Sequence, residues 1–247
     1  CIIFIMEEKT IYKRIVLKVS GEALENENDR SIYDEKKLKD IASVIKNARD
    51  LGVQIGVVVG AGNIWRGRLA DKVGIERSTA DYMGMLGTIM NALALQSALE
   101  SQNVPTRVMS AINVPQVCEP YIRRKALAHL DDGMVIIFAG GTGNPYFTTD
   151  SCATLRALEI NADSIIMGKN GVEGVYDSDP RKNPNAKLLT KLTYGEVMSK
   201  KLAVMDLTAV AMLADSEVKI HVFNMNDPNS LIEVLKGKEI GSTIAKE

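Results

Sequence analysis

At 247 residues the chain is long enough for one large domain, or for two lobes that share a sheet. Hydrophobic residues make up 46% and charged residues 25%, with a formal net charge of -1, so the chain reads as an ordinary soluble globular protein without the positive field that recruits nucleic acid. Cys1, Cys118 and Cys152 have no paired spacing and His129 and His221 are far apart, which argues against a disulfide framework, a zinc site or a His-based metal centre.

The opening CIIFIMEEKT has no basic leader, so no signal peptide is expected; Met6 reads as the start, with Cys1–Ile5 as extra upstream residues. No apolar run has the length of a membrane span, and the expectation is a cytoplasmic protein of one domain over residues 6–247. Lys13–Gly21 is β-rich and ends in Ser-Gly. Leu38, Ile41, Val44, Ile45, Ala48 and Leu51 then recur at helical spacing, with Gly52 as the residue that stops the helix. Val53–Gly62 is a continuously apolar strand, as in the middle of a parallel sheet covered on both faces. A long helix is predicted over Thr79–Glu100, with Met83, Met85, Leu86, Ile89, Met90 and Leu93 as core or subunit contacts. Further strands fit Thr106–Met109, Met134–Phe138, Ser164–Met167 and Val218–Phe223; Arg123–Lys125 reads as a solvated helix face and His221 as a packed strand residue. The repeated β-α-β order predicts a mainly parallel sheet with helices on both sides. Tyr176–Lys187, rich in breakers, is a loop that marks where a second lobe begins.

Three strands end in unusual loops: Lys18–Ala23 (KVSGEA), Val59–Gly67 (VGAGNIWRG) and Ala139–Asp150 (AGGTGNPYFTTD). Strand ends of an open α/β sheet are where ligands collect, so the three loops are expected on one rim. Neither common nucleotide signature is present. Trp65 stands where a dinucleotide loop has its third glycine, and no loop spells GxxxxGK[ST]. The chemistry instead points to cations brought from different strands. Lys18 ends the first strand, and Ser20 and Gly21 leave amides open to an anion. Gly60–Asn63 is expected to present bare amides at a helix N-terminus, with Arg66 one turn on as a planar phosphate grip. Thr142, Asn144, Thr148 and Thr149 offer groups that can read a base and a sugar phosphate. Asp150 has two readings, as the N-cap of the next helix or as the carboxylate that orients Lys18.

These stretches, with DYMGM (Asp81–Met85), GVYDSDP (Gly174–Pro180) and VMDL (Val204–Leu207), occur in the order found in bacterial UMP kinases of the amino-acid-kinase superfamily, which the chain resembles from Tyr12 onward. The resemblance implies an α/β fold, a three-layer αβα sandwich with a mainly parallel central sheet. It also implies transfer of the γ-phosphoryl group of ATP to UMP with Mg²⁺ carried on ATP, and a homohexamer. By position it assigns Lys18, Val19, Ser20, Gly21, Gly62, Arg66, Asn170, Tyr176 and Asp179 to ATP. To UMP it assigns Ala61, Asp81 and the run Thr142, Gly143, Asn144, Pro145, Tyr146, Phe147, Thr148 and Thr149. Lys18, Arg66 and Asp150 are the catalytic candidates, and Asp206 matches an implicated aspartate whose role the sequence leaves open. The UMP-binding lobe would be about 12–168 and the ATP-binding lobe about 169–247. UTP is implied as a feedback inhibitor, whereas Glu25–Asp34, without glycine, argues against activation by GTP. Rival readings are a kinase of the same superfamily acting on a carboxylate or carbamate, or a non-catalytic nucleotide-binding assembly.

Overall fold

The computed structural model describes residues 9–26, 29, 31–169, 171–225, 227 and 229–246. Met6 and the Cys1–Ile5 segment, part of the Glu25–Asp34 stretch, and Asn170 therefore lie outside the described residues.

In chain order the first half carries β1 (Arg14–Val19), α1 (Glu35–Asp50), β2 (Gln54–Val59), α2 (Ala70–Val73) and α3 (Arg77–Glu100). It continues with β3 (Thr106–Ser110), β4 (Glu119–Pro120), α4 (Arg123–Asp131), β5 (Val135–Ala139) and α5 (Thr149–Glu159). The second half has β6 (Ser164–Lys169), β7 (Val175–Tyr176), β8 (Leu188–Leu189), β9 (Lys191–Thr193) and α6 (Tyr194–Ser199). It ends with α7 (Leu207–Leu213), β10 (Lys219–Asn224), α8 (Asn229–Leu235) and β11 (Ser242–Ala245).

Among the described residues one sheet of nine strands runs in the order β4-β3-β5-β2-β1-β6-β10-β11-β9, and every pairing is parallel except β10 with β11. The apolar runs of β1, β2 and β5 are buried on both faces because helices cover both sides. Alternation along β1 divides the core. Ile15, Leu17 and Val19 join α1, α3 and α8 on one face, while Val16 joins α4, α5 and α7 on the other. The expected three-layer αβα architecture is what the chain adopts.

Local chemistry sets the element ends. Asp34 caps α1 by accepting from Lys37 N, and Gly52, at φ 85°, sits just past its end where a left-handed residue is needed. The expected Tyr176–Lys187 loop is present, closed by the antiparallel pair β7–β8 and wound on its own polar groups. The α3 residues divide as its helical period requires: Met85 and Ile89 are buried, whereas Leu86 and Met90 stand about half exposed. Arg123–Lys125 are exposed on α4. No helix among the described residues is long and apolar enough to cross a membrane.

His221, on β10, is buried and hydrogen-bonded on both ring nitrogens, Nε2 to Tyr12 Oη at 2.6 Å and Nδ1 to Thr243 Oγ1 at 3.1 Å. Burial, with a smaller contribution from Lys219, pushes its pKa down to about 4. The folded form thus holds His221 neutral at pH values where the unfolded chain would bind a proton. This contribution to stability is complete above the unfolded pKa of about 6.5 and is lost as pH falls towards 4. Urea unfolding at pH 7.5 and pH 4.5 is expected to show a loss on the order of 2–3 kcal/mol from this residue, and His221→Gln is expected to flatten that part of the pH slope.

Candidate active site

The three loops meet because β1, β2 and β5 are parallel and lie near one another in the sheet, so their C-terminal ends share one edge. Gly60 is the point of contact. A Cβ built there would lie 3.3 Å from Gly21 N and 3.8 Å from Thr149 Oγ1. At Gly21 the approach is closer still: a Cβ would come within 2.6 Å of both the Gly60 carbonyl oxygen and Asn63 Oδ1. Only glycine permits the first two loops to touch in this way.

Lys18 is the last polar side chain of β1, and its Nζ lies 3.1 Å from Asp150 Oδ1, with both side chains 19% exposed. Asp150 is therefore the partner of Lys18. The cap of α5 is Thr148, whose hydroxyl accepts from Asp150 N at 3.1 Å and Ser151 N at 3.2 Å. Of the two readings of Asp150 the N-cap is thus wrong, because the threonine two residues earlier already meets those amides. Asp150 Oδ1 is buried and accepts no well-directed hydrogen bond, so its link to Lys18 is one of charge at contact distance.

Lys169, which the sequence reading passed over, joins them from the end of β6. Burial and the nearby Lys18 charge lower its pKa, with Asp150 acting in the opposite direction, and its Nζ donates to Ala203 O at 3.1 Å. The signal was available: an ionisable residue closing an apolar strand that neighbours β1.

Arg66 lies beside the first two loops. Its Nη2 is 2.9 Å from Glu22 Oε1, and its Nε donates to Gly62 O at 3.0 Å. The expected helix N-terminus at Gly60–Asn63 is not formed. Ile64 N and Trp65 N both bond to Ala61 O, which makes one turn; α2 begins only at Ala70. The dipole of a long helix is therefore missing there, and Arg66 is the cation beside these loops. Trp65 packs against Gly84 of α3.

The third loop is pinned to α3. Gly140 N donates to Thr88 Oγ1 at 2.8 Å, and Tyr146 N donates to Asp81 Oδ2 at 2.8 Å. Asp81 is also held by both oxygens to Arg77 Nε at 2.9 Å. Gly140, Gly141, Gly143 and Tyr146 all have positive φ, an unfavourable setting for the tyrosine that Asp81 helps to fix. Tyr146 and Phe147 remain exposed. Thr142 and Asn144 bond to each other across the turn.

Asp206 gains a structural role. It caps α7 by accepting from Ala209 N at 2.9 Å, and its carboxylate also accepts from the hydroxyls of Thr148 and Ser151. It therefore ties the start of α7 to the start of α5, next to Asp150. Asp206→Ala removes all of these acceptors and is expected to destabilise the protein by about 1–2 kcal/mol in urea unfolding, with Asp206→Asn restoring much of the loss.

A cavity of about 660 Å³ opens on this rim, lined by Lys18, Val19, Ser20, Gly168, Lys169 and Met225 among others. That volume suits a nucleotide-sized ligand. Tyr176 and Asp179 lie on the β7–β8 hairpin and do not line the cavity among the described residues; the Asp179 carboxylate instead accepts from Arg181 N at 3.0 Å.

The sequence matches the amino acid kinase family over residues 13–224. A uridylate kinase of Limosilactobacillus reuteri is 53% identical over 233 residues, covering 94% of this chain and 97% of that protein. The solved UMP kinase of Bacillus anthracis superposes with a TM-score of 0.93 at 42% identity, covering 96% of this chain and 97% of its own. UMP kinase from Ureaplasma parvum gives a TM-score of 0.90, also at 42% identity, with 95% and 99% covered. The resemblance carried by the loop motifs holds across sequence and fold alike, and the chain belongs to the amino acid kinase family.

Proposed function

We propose that the chain is a nucleoside monophosphate kinase that transfers the γ-phosphoryl group of ATP to UMP, yielding UDP for pyrimidine nucleotide synthesis. The observation that carries this reading is the Lys18–Asp150 pair, held where the phosphate-type loops of β1 and β2 meet the Thr142–Thr149 turn. The uridylate kinase relative and the UMP kinase structures support the same reading. A carboxylate or carbamate substrate would have no use for Asp81, a carboxylate aimed at the acceptor loop.

Phosphoryl transfer asks a protein for alignment and for charge to oppose the moving oxygens. Lys18 supplies an ammonium that Asp150 holds in place, Lys169 a second one, and Arg66 a guanidinium that an incoming phosphate draws from Glu22. Val19, Ser20, Gly21 and Gly62 bring backbone close to the donor phosphates; Tyr176, Asp179 and Asn170 belong to the donor side by position. Ala61, Asp81 and Thr142–Thr149 are assigned to the acceptor side, Asp81 for the ribose hydroxyls. The acceptor is therefore assigned to residues about 12–168, and the donor to residues about 169–247 together with the β1 loop and Gly62. A nucleotide phosphate oxygen is already an anionic nucleophile, so no general base is needed.

Among the described residues no group of three or more His, Cys, Asp or Glu side chains is arranged as a metal cage. The buried Asp150 Oδ1, with acceptor capacity left over, fits a Mg²⁺ that takes most of its oxygens from nucleotide and water. Held there, Mg²⁺ would supply positive charge to oppose that of the donor phosphates.

Tyr82, Leu86 and Met90, at i, i+4 and i+8 on α3, are each about half exposed and form an apolar stripe suited to a second copy of the chain. This supports a homo-oligomer, which we take to be a hexamer in the cytoplasm; UTP is proposed as feedback inhibitor, and the glycine-free Glu25–Asp34 stretch speaks against activation by GTP.

A coupled ADP-release assay with ATP-Mg²⁺ against UMP, CMP, dTMP and N-acetylglutamate tests the reading, with UMP the preferred acceptor. Lys18→Ala is expected to lower kcat by about 10²–10³, the usual loss for a fixed donor aimed at developing charge; unchanged turnover would remove Lys18 from the mechanism. Uracil offers a donor at N3 and an acceptor at O4, and cytosine reverses both. With the acceptor loop held by Asp81 and Thr88, kcat/KM for CMP is expected to be at least about tenfold below that for UMP.

A further inference from the structure

A second cavity, of about 440 Å³ as the described residues line it, opens away from the phosphate rim. β1, β6 and β10 are parallel, so Tyr12, just before β1, and Lys219, the first residue of β10, stand at the edge where these strands begin, whereas Lys18 stands where β1 ends. Ile11, Leu192, Val234 and Ala245 give the cavity apolar walls. Its lining also holds Tyr12 and His221, each only 7% exposed, and Thr243 of β11.

These three polar groups do not satisfy one another completely. They share two hydrogen bonds, Tyr12 Oη with His221 Nε2 at 2.6 Å and His221 Nδ1 with Thr243 Oγ1 at 3.1 Å. Burial keeps the imidazole neutral, with one N–H, and each hydroxyl brings one O–H, so three hydrogens serve two bonds. If Nε2 accepts from Tyr12, Nδ1–H goes to Thr243 and the threonine hydrogen is left over. In the other tautomer the tyrosine hydrogen is left over. Among the described residues neither hydroxyl has a second partner. Whichever tautomer is present, one O–H at the cavity needs an acceptor, and leaving it unmet costs free energy.

The charges around the cavity decide what kind of acceptor suits it. Lys191, Lys219, Lys238 and Lys246 line it against Glu196 and Glu239. Glu239 is taken by Lys191 at 2.5 Å and Glu196 by Lys200 at 2.8 Å, while Lys238 pairs with Glu233 and Lys246 lies 3.4 Å from Glu217. Among the described residues the Lys219 ammonium has no hydrogen bond or ion pair, and its charge helps to lower the pKa of the neighbouring His221. A phosphate is poorly served here. No arginine lines the cavity, and the capping box that starts α6 already joins Thr193 Oγ1 to Glu196 N and the Glu196 carboxylate to Thr193 N. A carboxylate carries one charge and two acceptor oxygens, which matches one free ammonium and one left-over hydroxyl.

We propose that this cavity is a binding site for a small monocarboxylate with an apolar body, its carboxylate received by Lys219 and by the hydroxyl that the Tyr12–His221–Thr243 chain leaves over. The site is separate from the phosphate rim and stands independently of the kinase reading.

Octanoate is the probe, with octanamide as its uncharged counterpart and inorganic phosphate as an anion without an apolar body. Binding to the full chain is followed by NMR of ring-¹⁵N-labelled histidine, in which His221 reports from the cavity and His129 from elsewhere. Octanoate is expected to shift the His221 signals with a Kd below about 1 mM and to leave those of His129 in place. Octanamide and phosphate are expected to bind at least about tenfold more weakly. Lys219→Gln is expected to weaken octanoate by about tenfold, and at least one of Tyr12→Phe and Thr243→Val by about threefold or more. Lys219 is exposed, so its variant reads the site even where a variant of the buried groups fails to fold. Saturating ADP and UMP are expected to leave octanoate bound. No shift at His221 with about 10 mM octanoate, equal binding of octanoate and octanamide, an unchanged Kd in Lys219→Gln, or displacement by ADP or UMP would overturn the proposal.

Discussion

Asn91, fully buried in α3, donates from Nδ2 to the Gly60 carbonyl at 2.7 Å and to Asn63 Oδ1 at 2.8 Å. Three residues earlier Thr88 accepts from Gly140 N, and two turns before that Asp81 accepts from Tyr146 N. These three residues lie towards one side of a single helix, so α3 carries a row of polar anchors for both the second and the third loop. Backbone that leaves a sheet must find new partners, and here the nearest ones are side chains of one rigid helix. The third loop can hold its positive φ angles because Gly140 N and Tyr146 N are satisfied by α3.

Charge at the rim follows a second rule, that a cation drawn out of bulk water needs a counter-charge. Lys18 is matched by Asp150 and Arg66 by Glu22, while burial, and then the neighbouring Lys18 charge, lower the pKa of Lys169. Asp150 is held in position from behind by Thr148 and Asp206, which also starts α7. One short chain of contacts thus runs from the Lys18 ammonium to the helix layer of the C-terminal half.

Much of this was legible in the sequence, for a plain reason. Continuous apolar runs such as Gln54–Val59 and Val135–Ala139 are what a doubly covered parallel strand requires, and parallel neighbours must end on the same edge. The meeting of the three loops followed from that alone. What the sequence hid depends on which of several adjacent polar groups wins a contact. Thr148 and Asp150 both suit a cap, and the hydroxyl of Thr148, which takes the Asp150 and Ser151 amides, leaves the Asp150 carboxylate for Lys18. Gly60–Asn63 resembles the start of a helix until Ala61 O turns the chain after one turn. Thr88 and Asn91 look like ordinary helix residues, because their partners lie 52 and 31 positions away.

The junction of Gly21 with Gly60 has a further consequence, one for inheritance. With a methyl group at position 21 brought to 2.6 Å of a peptide oxygen, neither segment can lengthen or swell alone without dislodging the other. The two must drift as a unit, so tolerated variation should be found in Glu25–Asp34 and the Gly67–Ile75 connection, outside the junction. Engineers seeking a new phosphate acceptor would do better to graft the pair together than to vary either half.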